Sequence, residues 1–296
     1  MPQIQVGALS FEYDSFGPAD RPAVLLIMGL GAQMTRWPVE LCEELVARGY
    51  RAIRFDNRDV GLSSKLDAAG IPDMGAIFAM LAGGPPVPSP YSLDDMAADA
   101  VGLLTALGIE RAHIVGASMG GMIAQLVAAN HPERTLSLTS IMSTTGNREV
   151  PNGTPEAMGA LFSPAPPADD IEAVVARGIR ISYALGSPGY RTDEATLRQS
   201  VLADTQRSYY PPGAARQTAA IVANGDRRAK LAGVKAPTVV LHGEDDPLVP
   251  LAGGRDTAAA IAGAELRIVP GMGHDFPVAL VPVFADAITA AAARAR

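Results

Sequence analysis

Cysteine is nearly absent from this chain of 296 residues. Cys42 is the single one, so no disulfide can form within the chain. Positive charge is also scarce, since 31 acidic residues outnumber 24 basic ones and the net charge is −7. Such a chain repels phosphate backbones and gains nothing from anionic lipids, so we expect neither a nucleic-acid nor a membrane partner.

Long hydrophobic runs are lacking as well. The longest apolar stretch near the start, residues 23–31, is far shorter than the roughly 20 residues that span a bilayer. Residues 1–10 lack the basic and apolar regions of a signal peptide. The sequence therefore predicts a cytoplasmic protein, and its 48% of hydrophobic residues allow a large core.

Short apolar runs alternate with helical patterns along most of the chain. This alternation predicts an α/β fold, with a mostly parallel twisted sheet and helices on both faces. Two more polar segments at the start, residues 4–6 and 10–13, indicate an antiparallel edge hairpin. The predicted strands are 23–27, 51–55, 112–115, 136–141, 238–241 and 266–269, and the predicted helices beside them are 38–48, 93–107 and 121–130.

The alternation stops between residues 143 and 234, where no strand is evident. Helical patterns at 171–184, 193–208 and 214–223 predict an inserted helical cap lying over the carboxyl edge of the sheet. The core would then comprise residues 1–142 and 235–296. The alternative is a helical decoration that is unrelated to function.

One glycine-flanked serine carries the signature of a nucleophile. The segment Gly116-Ala117-Ser118-Met119-Gly120 matches the G-x-S-x-G elbow, in which a sharp strand-to-helix turn projects the serine hydroxyl away from the sheet. A predicted strand precedes the motif and a predicted helix follows it. A dinucleotide-binding turn is the alternative, but the G-x-G-x-x-G spacing is missing. We therefore expect Ser118 to be the nucleophile.

A serine nucleophile requires a base, and the chain offers four histidines. His274 lies in a glycine-containing loop directly after the last predicted strand, at the edge where Ser118 also lies, so it is the expected base. His242 ends the strand before and is the main alternative. His113 is expected to be a packed core residue, and His131 lies at the end of the helix after Ser118.

The orienting carboxylate is expected after the strand 238–241. Glu244, Asp245 and Asp246 all follow it. Asp246 precedes a proline, which keeps it out of helical geometry and fixes its direction. We expect Glu244 and Asp245 to be turn and solvated residues. The resulting order of Ser118, Asp246 and His274 is the order found in α/β-hydrolases.

Two backbone N–H groups are expected to hold the oxyanion of a tetrahedral intermediate. One belongs to Met119, which follows the nucleophile. The other belongs to Leu30, in the loop Met28-Gly29-Leu30-Gly31 after the first central strand. An ordinary glycine turn is the alternative for this loop.

Taken together, these motifs resemble the α/β-hydrolase fold family, and the resemblance covers nearly the whole chain. It extends to residues 55–63 and to residues 236–243, which are typical of the return from cap to core. Within the family, residues 28–29, 56–59 and 271–274 look most like the serine carboxylesterases of the aclacinomycin methylesterase type. Asp56 and Arg58 are interpreted as charges that fix a loop. Many relatives have histidine where Met28 stands, so the oxyanion loop of this chain must be held by other groups.

The expected activity is hydrolysis of uncharged, moderately sized carboxylic esters through an acyl-enzyme. The pocket should be apolar, and Met28, Met74, Phe78 and Met80 are candidates to line it, although the last three could simply pack at helical spacing. No organic cofactor is needed, and no Cys/His cluster has zinc-ligand spacing. The expected partner is a small-molecule ester, and the chain is expected to be a monomer or homodimer.

The same triad also supports lactone hydrolysis, carbon–carbon bond hydrolysis and cofactor-free perhydrolysis. A haloalkane dehalogenase is disfavoured, because its nucleophile would be an aspartate at the position of Ser118. A non-enzymatic receptor that holds a small molecule beneath the cap is an alternative of a different class. The intact Ser, His and Asp and the two oxyanion segments argue against it.

Overall fold

The computed structural model describes residues 2–295, within which eight strands form one sheet. The spatial order is β1-β2-β4-β3-β5-β6-β7-β8. The first two strands are antiparallel to their neighbours, and the six from β4 to β8 run parallel. The predicted fold class is confirmed. The strands are β1 (Gln3–Val6), β2 (Leu9–Phe16), β3 (Ala23–Ile27), β4 (Arg51–Phe55), β5 (Ala112–Ala117), β6 (Thr135–Ile141), β7 (Thr238–Gly243) and β8 (Glu265–Val269).

Eleven helices accompany the sheet within the same residues. Four short 3-10 turns, at Met34–Arg36, Asp67–Ala69, Pro132–Arg134 and Val278–Leu280, lie in the connections. The helices are α1 (Val39–Ala47), α2 (Met74–Leu81), α3 (Leu93–Ala106), α4 (Met119–Asn130), α5 (Pro155–Leu161), α6 (Ile171–Leu185), α7 (Glu194–Arg207), α8 (Pro211–Asn224), α9 (Arg228–Leu231), α10 (Leu251–Ala260) and α11 (Val281–Ala293).

Strand β3 shows why its sequence is apolar at every position. Leu25 and Ile27 pack into a core with α3 and α4 on one face of the sheet. Val24 and Leu26 pack into a second core with α1 and α11 on the other face. Because successive side chains of a strand point to opposite faces, a strand covered on both sides must be apolar throughout.

The segment between β6 and β7 contains the five helices α5 to α9. Asp170 and Asp193 mark the starts of α6 and α7, where their carboxylates accept the N–H groups of Ala173 and Thr196 at 3.0 Å. The prediction placed the start of α8 three residues too late. The helix begins at Pro211, because proline fits the first helical turn, where its missing N–H is not needed.

The carboxyl ends of β5, β7 and β8 meet at one edge of the sheet, because these strands are parallel. This edge carries the segments after residues 117, 243 and 269. Among residues 2–295, no helix is both long enough and apolar enough to cross a membrane.

Candidate active site

Ser118 occupies a strained turn between β5 and α4. Its φ of 55° and ψ of −122° lie where non-glycine residues are rare, so the surrounding structure must hold it there. The Ser118 N–H donates to the Ile141 carbonyl at 2.9 Å. The Ser143 hydroxyl donates to the Ser118 carbonyl at 2.8 Å. Both peptide groups of the turn are thereby fixed to the adjoining end of β6.

The glycines around Ser118 are required by close backbone contacts. A Cβ atom on Gly116 would lie 2.0 Å from the Gly120 carbonyl oxygen, and one on Gly120 would lie 2.0 Å from the Ile27 carbonyl oxygen. Real Cβ atoms do not approach so closely. Residues with side chains would therefore force the strand, the turn and the helix apart.

The loop after β3 lies directly against the elbow. A Cβ atom on Gly29 would be 3.1 Å from Ser118 Cβ and 3.6 Å from its hydroxyl oxygen. The Asn57 amide donates to the Met28 carbonyl at 2.9 Å, and the Gly31 N–H donates to Gln217 Oε1 at 2.8 Å. These two bonds hold the loop through its backbone, since the Met28 side chain cannot make the hydrogen bonds that a histidine would make.

His274 and Asp246 are brought together by the loops after β8 and β7. Nδ1 of His274 lies 2.7 Å from Oδ2 of Asp246. The other carboxylate oxygen of Asp246 accepts the N–H groups of Leu248 and Val249, at 2.9 and 2.8 Å. The carboxylate is fully buried and its direction is fixed, so it can hold Nδ1 protonated and leave Nε2 to act as a base.

The other histidines have different surroundings. His242 is fully buried, its Nε2 donates to the Val249 carbonyl at 2.7 Å, and burial lowers its pKa. That Nε2 lies 3.6 Å from Asp246 Oδ2. His113 lies in the core with Nδ1 2.9 Å from the Ser137 hydroxyl, and burial lowers its pKa to about 4.

The two carboxylates beside Asp246 are exposed. Asp245 also accepts the N–H of Gly271 at 2.9 Å, and so connects the loops after β7 and β8. No hydrogen bond or ion pair between His274 and either Glu244 or Asp245 is seen in the described part of the chain, whereas Asp246 bonds to it directly.

The loop that carries His274 is also held by the segment after α6. The His274 N–H donates to the Leu185 carbonyl at 2.7 Å, and the Gly273 N–H donates to the Ser187 hydroxyl at 2.8 Å. Ser187 in turn donates to the carboxylate of Asp275, whose pKa is raised by burial. No sequence motif indicated Ser187 or Asp275, because their contacts join segments that are far apart in the chain.

Asp56 and Arg58 make contacts that fix loops. The Asp56 carboxylate accepts the Met34 N–H at 2.8 Å and pairs with Arg207 of α7 at 2.7 Å. The Arg58 guanidinium forms two bonds of 2.6 Å with the carboxylate of Asp99. Both side chains thus tie the segment after β4 to neighbouring elements.

The four candidate pocket residues have separate surroundings. Met28 is buried in the core that contains α1 and α11. Met74 and Met80 of α2 pack against a small cluster shared with α8. Phe78 is 37% exposed and stacks edge-on against Phe162 at 5.2 Å.

Within the described residues, no three side chains of His, Cys, Asp or Glu form a group that could hold a metal ion. The helix α4 begins at Met119, so its positive end faces the elbow, where negative charge would be stabilised. The arrangement offers a hydroxyl on a strained turn, a buried imidazole–carboxylate pair and an adjoining glycine loop. These are the parts that acyl transfer through serine requires.

Comparison with known proteins identifies the family of this chain. The chain is 31% identical to the rhodomycin D methylesterase of Streptomyces peucetius, over 92% of this chain and 91% of that one. It is 28% identical to a putative carbamate hydrolase of Variovorax paradoxus, over 93% of each. The enol-lactonase of Burkholderia xenovorans superposes with a TM-score of 0.73 at 23% identity, over 99% and 100% of the two chains. Residues 22–172 match the α/β hydrolase fold, and the chain belongs to that family.

Proposed function

We propose that this protein is a serine carboxylesterase that hydrolyses uncharged, moderately sized carboxylic esters through an acyl-enzyme. The observation that carries the proposal is the 2.7 Å bond between His274 and Asp246, at the sheet edge that also holds the strained Ser118 elbow. A buried imidazole–carboxylate pair beside an elbow serine is the apparatus that activates a weak nucleophile.

In the proposed mechanism, Ser118 attacks the ester carbonyl carbon while Nε2 of His274 takes the hydroxyl proton. The N–H groups of Met119 and Leu30 donate to the oxyanion. His274 then protonates the leaving alcohol, and the acyl group remains on Ser118. A water molecule that gives its proton to His274 attacks this acyl group, and the carboxylic acid is released.

The substrate class is inferred from two sources. The relatives at 31% and 30% identity are both named rhodomycin D methylesterases, which act on esters. The candidate pocket side chains Met28, Met74, Phe78 and Met80 are uncharged, which favours a neutral acyl or alcohol group.

Residues 143–234 are proposed to form a cap over a core of residues 1–142 and 235–296. The proposed setting is the cytoplasm, with a small-molecule ester as the partner.

The test is hydrolysis of p-nitrophenyl esters of increasing acyl length by the wild type and by Ser118→Ala. We expect clear turnover by the wild type, a loss of at least about 1,000-fold in the variant, and a preferred acyl length that measures the pocket. An inactive wild type would contradict the esterase proposal, and turnover that persists in Ser118→Ala would contradict the role of Ser118.

A further inference from the structure

The loop that contains Leu30 donates a hydrogen bond to a side chain of a helix that is distant in the sequence. Gln217, on α8, is fully buried, and its Oε1 accepts the Gly31 N–H at 2.8 Å. Its Nε2 donates to the Arg58 carbonyl at 2.9 Å. One amide side chain thus satisfies the loop after β3 and the loop after β4 at the same time, and both of its polar ends are used.

The bond acts on the peptide group next to the proposed oxyanion donor. The Ala32 N–H donates to the Gly29 carbonyl at 3.3 Å, which closes a turn with Leu30 and Gly31 at its centre. Gly31 has a φ of 63°, as the third residue of a type II turn requires. Gln217 therefore holds the central peptide of this turn, which directly follows Leu30.

Helix α8 is itself anchored, so Gln217 is a fixed acceptor. The Arg216 guanidinium makes two bonds, of 2.8 and 2.7 Å, with the carboxylate of Asp59, and both side chains are buried. A Cβ atom on Gly213 would lie 2.0 Å from the Asp59 carbonyl oxygen, so the helix backbone packs directly on that loop. A Cβ atom on Gly31 would lie 3.1 Å from the Ala214 methyl group.

From this geometry we propose that Gln217 is a positioning residue for the oxyanion hole, and the proposal rests on the proposed esterase function. Donors stabilise a transition state best when they are fixed before charge develops. With Met28 in place of a histidine, this chain holds its oxyanion loop through the amide of α8. Gln217 acts through Gly31 on the direction of the Leu30 N–H and does not touch the substrate.

The proposal predicts a change in kcat with little change in KM. In Gln217→Leu the Gly31 N–H loses its acceptor, so we expect kcat to fall by about 10- to 100-fold, which is the range that slight misplacement of a catalytic group produces. The Ki of a trifluoromethyl ketone, whose hemiketal oxygen occupies the oxyanion hole, should rise by the same factor as kcat/KM falls. A role in folding alone would not link these two quantities.

Two further variants complete the experiment. Thr218→Val is the matched control, because Thr218 lies beside Gln217 on α8 and its hydroxyl donates to the Ala214 carbonyl of its own helix, at 2.8 Å, rather than to either loop. Gln217→Glu is the conservative variant. Its protonated carboxyl can accept from the Gly31 N–H and donate to the Arg58 carbonyl, whereas its ionised form places a negative charge beside the oxyanion hole. The ratio of wild-type to Gln217→Glu kcat should therefore rise with pH.

The outcomes separate the two proposals. The expected result is a lowered kcat and a matched rise in Ki for Gln217→Leu, with Thr218→Val within about twofold of the wild type. If Gln217→Leu behaves like Thr218→Val, or if its Ki does not follow kcat/KM, the positioning role is wrong while the esterase proposal stands. If the wild type turns over no ester, or Ser118→Ala is equally active, both proposals fall.

Discussion

Nδ1 of His274 lies 2.7 Å from Oδ2 of Asp246, which is 28 residues earlier in the chain. The two side chains leave neighbouring parallel strands, β7 and β8, at the same edge, so the register of the sheet decides that they meet. Two backbone N–H groups on Oδ1 leave Oδ2 free for the imidazole. The loop after β7 thereby aims one carboxylate oxygen at one ring nitrogen.

The first prediction concerns this pair. Asp246→Asn would keep the size of the side chain but could donate to Nδ1, which would put the proton on Nε2. The imidazole would then present the wrong tautomer to Ser118, so kcat should fall by about 1,000- to 10,000-fold. Steady-state kinetics on a p-nitrophenyl ester measure the loss.

Glu244→Gln is the control for Asp246→Asn, because Glu244 is an exposed carboxylate only two residues away. Its kcat should stay within about twofold of the wild type. A large loss in Glu244→Gln, or a small one in Asp246→Asn, would argue for a different orienting acid.

The glycines of the elbow give a second prediction. In Gly120→Ala the new methyl group would lie 2.0 Å from the Ile27 carbonyl oxygen and 2.7 Å from that of Met28. The start of the oxyanion loop must then shift, and kcat should fall by about 100-fold or more, since displacements near 1 Å have effects of that size. Kinetics and circular dichroism together would separate a shifted site from an unfolded chain.

Gly159→Ala is the matched control within α5, where a Cβ atom would meet nothing within 4 Å. Alanine favours the helix there, so the free energy of unfolding should rise by about 0.5–1 kcal/mol while kcat is unchanged. Equal losses of activity in the two variants would show that the close contact at Gly120 is not the cause.

Much of the architecture follows from local sequence patterns. The run at residues 23–27 predicted a strand that is buried on both faces, and the structure has β3 there with the same bounds. The confirmed fold class required only such runs, their spacing and the helical patterns between them. For the site, the order of Ser118, Asp246 and His274 singled out the pair that the structure brings within hydrogen-bond distance.

The supports of these residues could not be predicted in the same way. Gln217 is one glutamine in a helix of ordinary composition, and its partner Gly31 is 186 residues away. Ser187 and Asp275 meet across 88 residues. Such contacts depend on how α6 and α8 pack against the core, and neither periodicity nor a short motif encodes that packing.

A third prediction is the dependence of stability on pH through His113. Burial lowers its pKa from 6.5 to about 4, so the unfolded chain takes up this proton first as pH falls. The stability that His113 contributes is therefore present above pH 6.5 and is lost between pH 6.5 and about 4. The loss should reach about 3 kcal/mol, at 1.36 kcal/mol per unit of pKa.

The measurement is the free energy of unfolding in urea at several pH values from 7.5 to 4. In His113→Gln the curve should fall less steeply between pH 6.5 and 4, although the variant is less stable at pH 7 because packing is disturbed. An unchanged slope in His113→Gln would assign the acid sensitivity to other groups.

The last prediction concerns the ion pair that anchors α8. Arg216 is 1% exposed and the Asp59 carboxylate 0%, so each charge depends on the other for compensation. Arg216→Met leaves that carboxylate buried and unpaired, and the free energy of unfolding should fall by about 3–5 kcal/mol. Adding Asp59→Asn removes the charge, and asparagine tolerates the φ of 68° at this position, so part of the loss should be recovered.

The control is Arg198→Met, which breaks an exposed ion pair with Glu172 and should leave the urea midpoint of unfolding nearly unchanged. If the double variant is no more stable than Arg216→Met, the destabilisation comes from the lost packing and hydrogen bonds of the arginine, and the unpaired charge of Asp59 is not its main cause. In that case the contact of α8 with the Asp59 loop depends on shape, since Gly213 still lies against the Asp59 carbonyl oxygen.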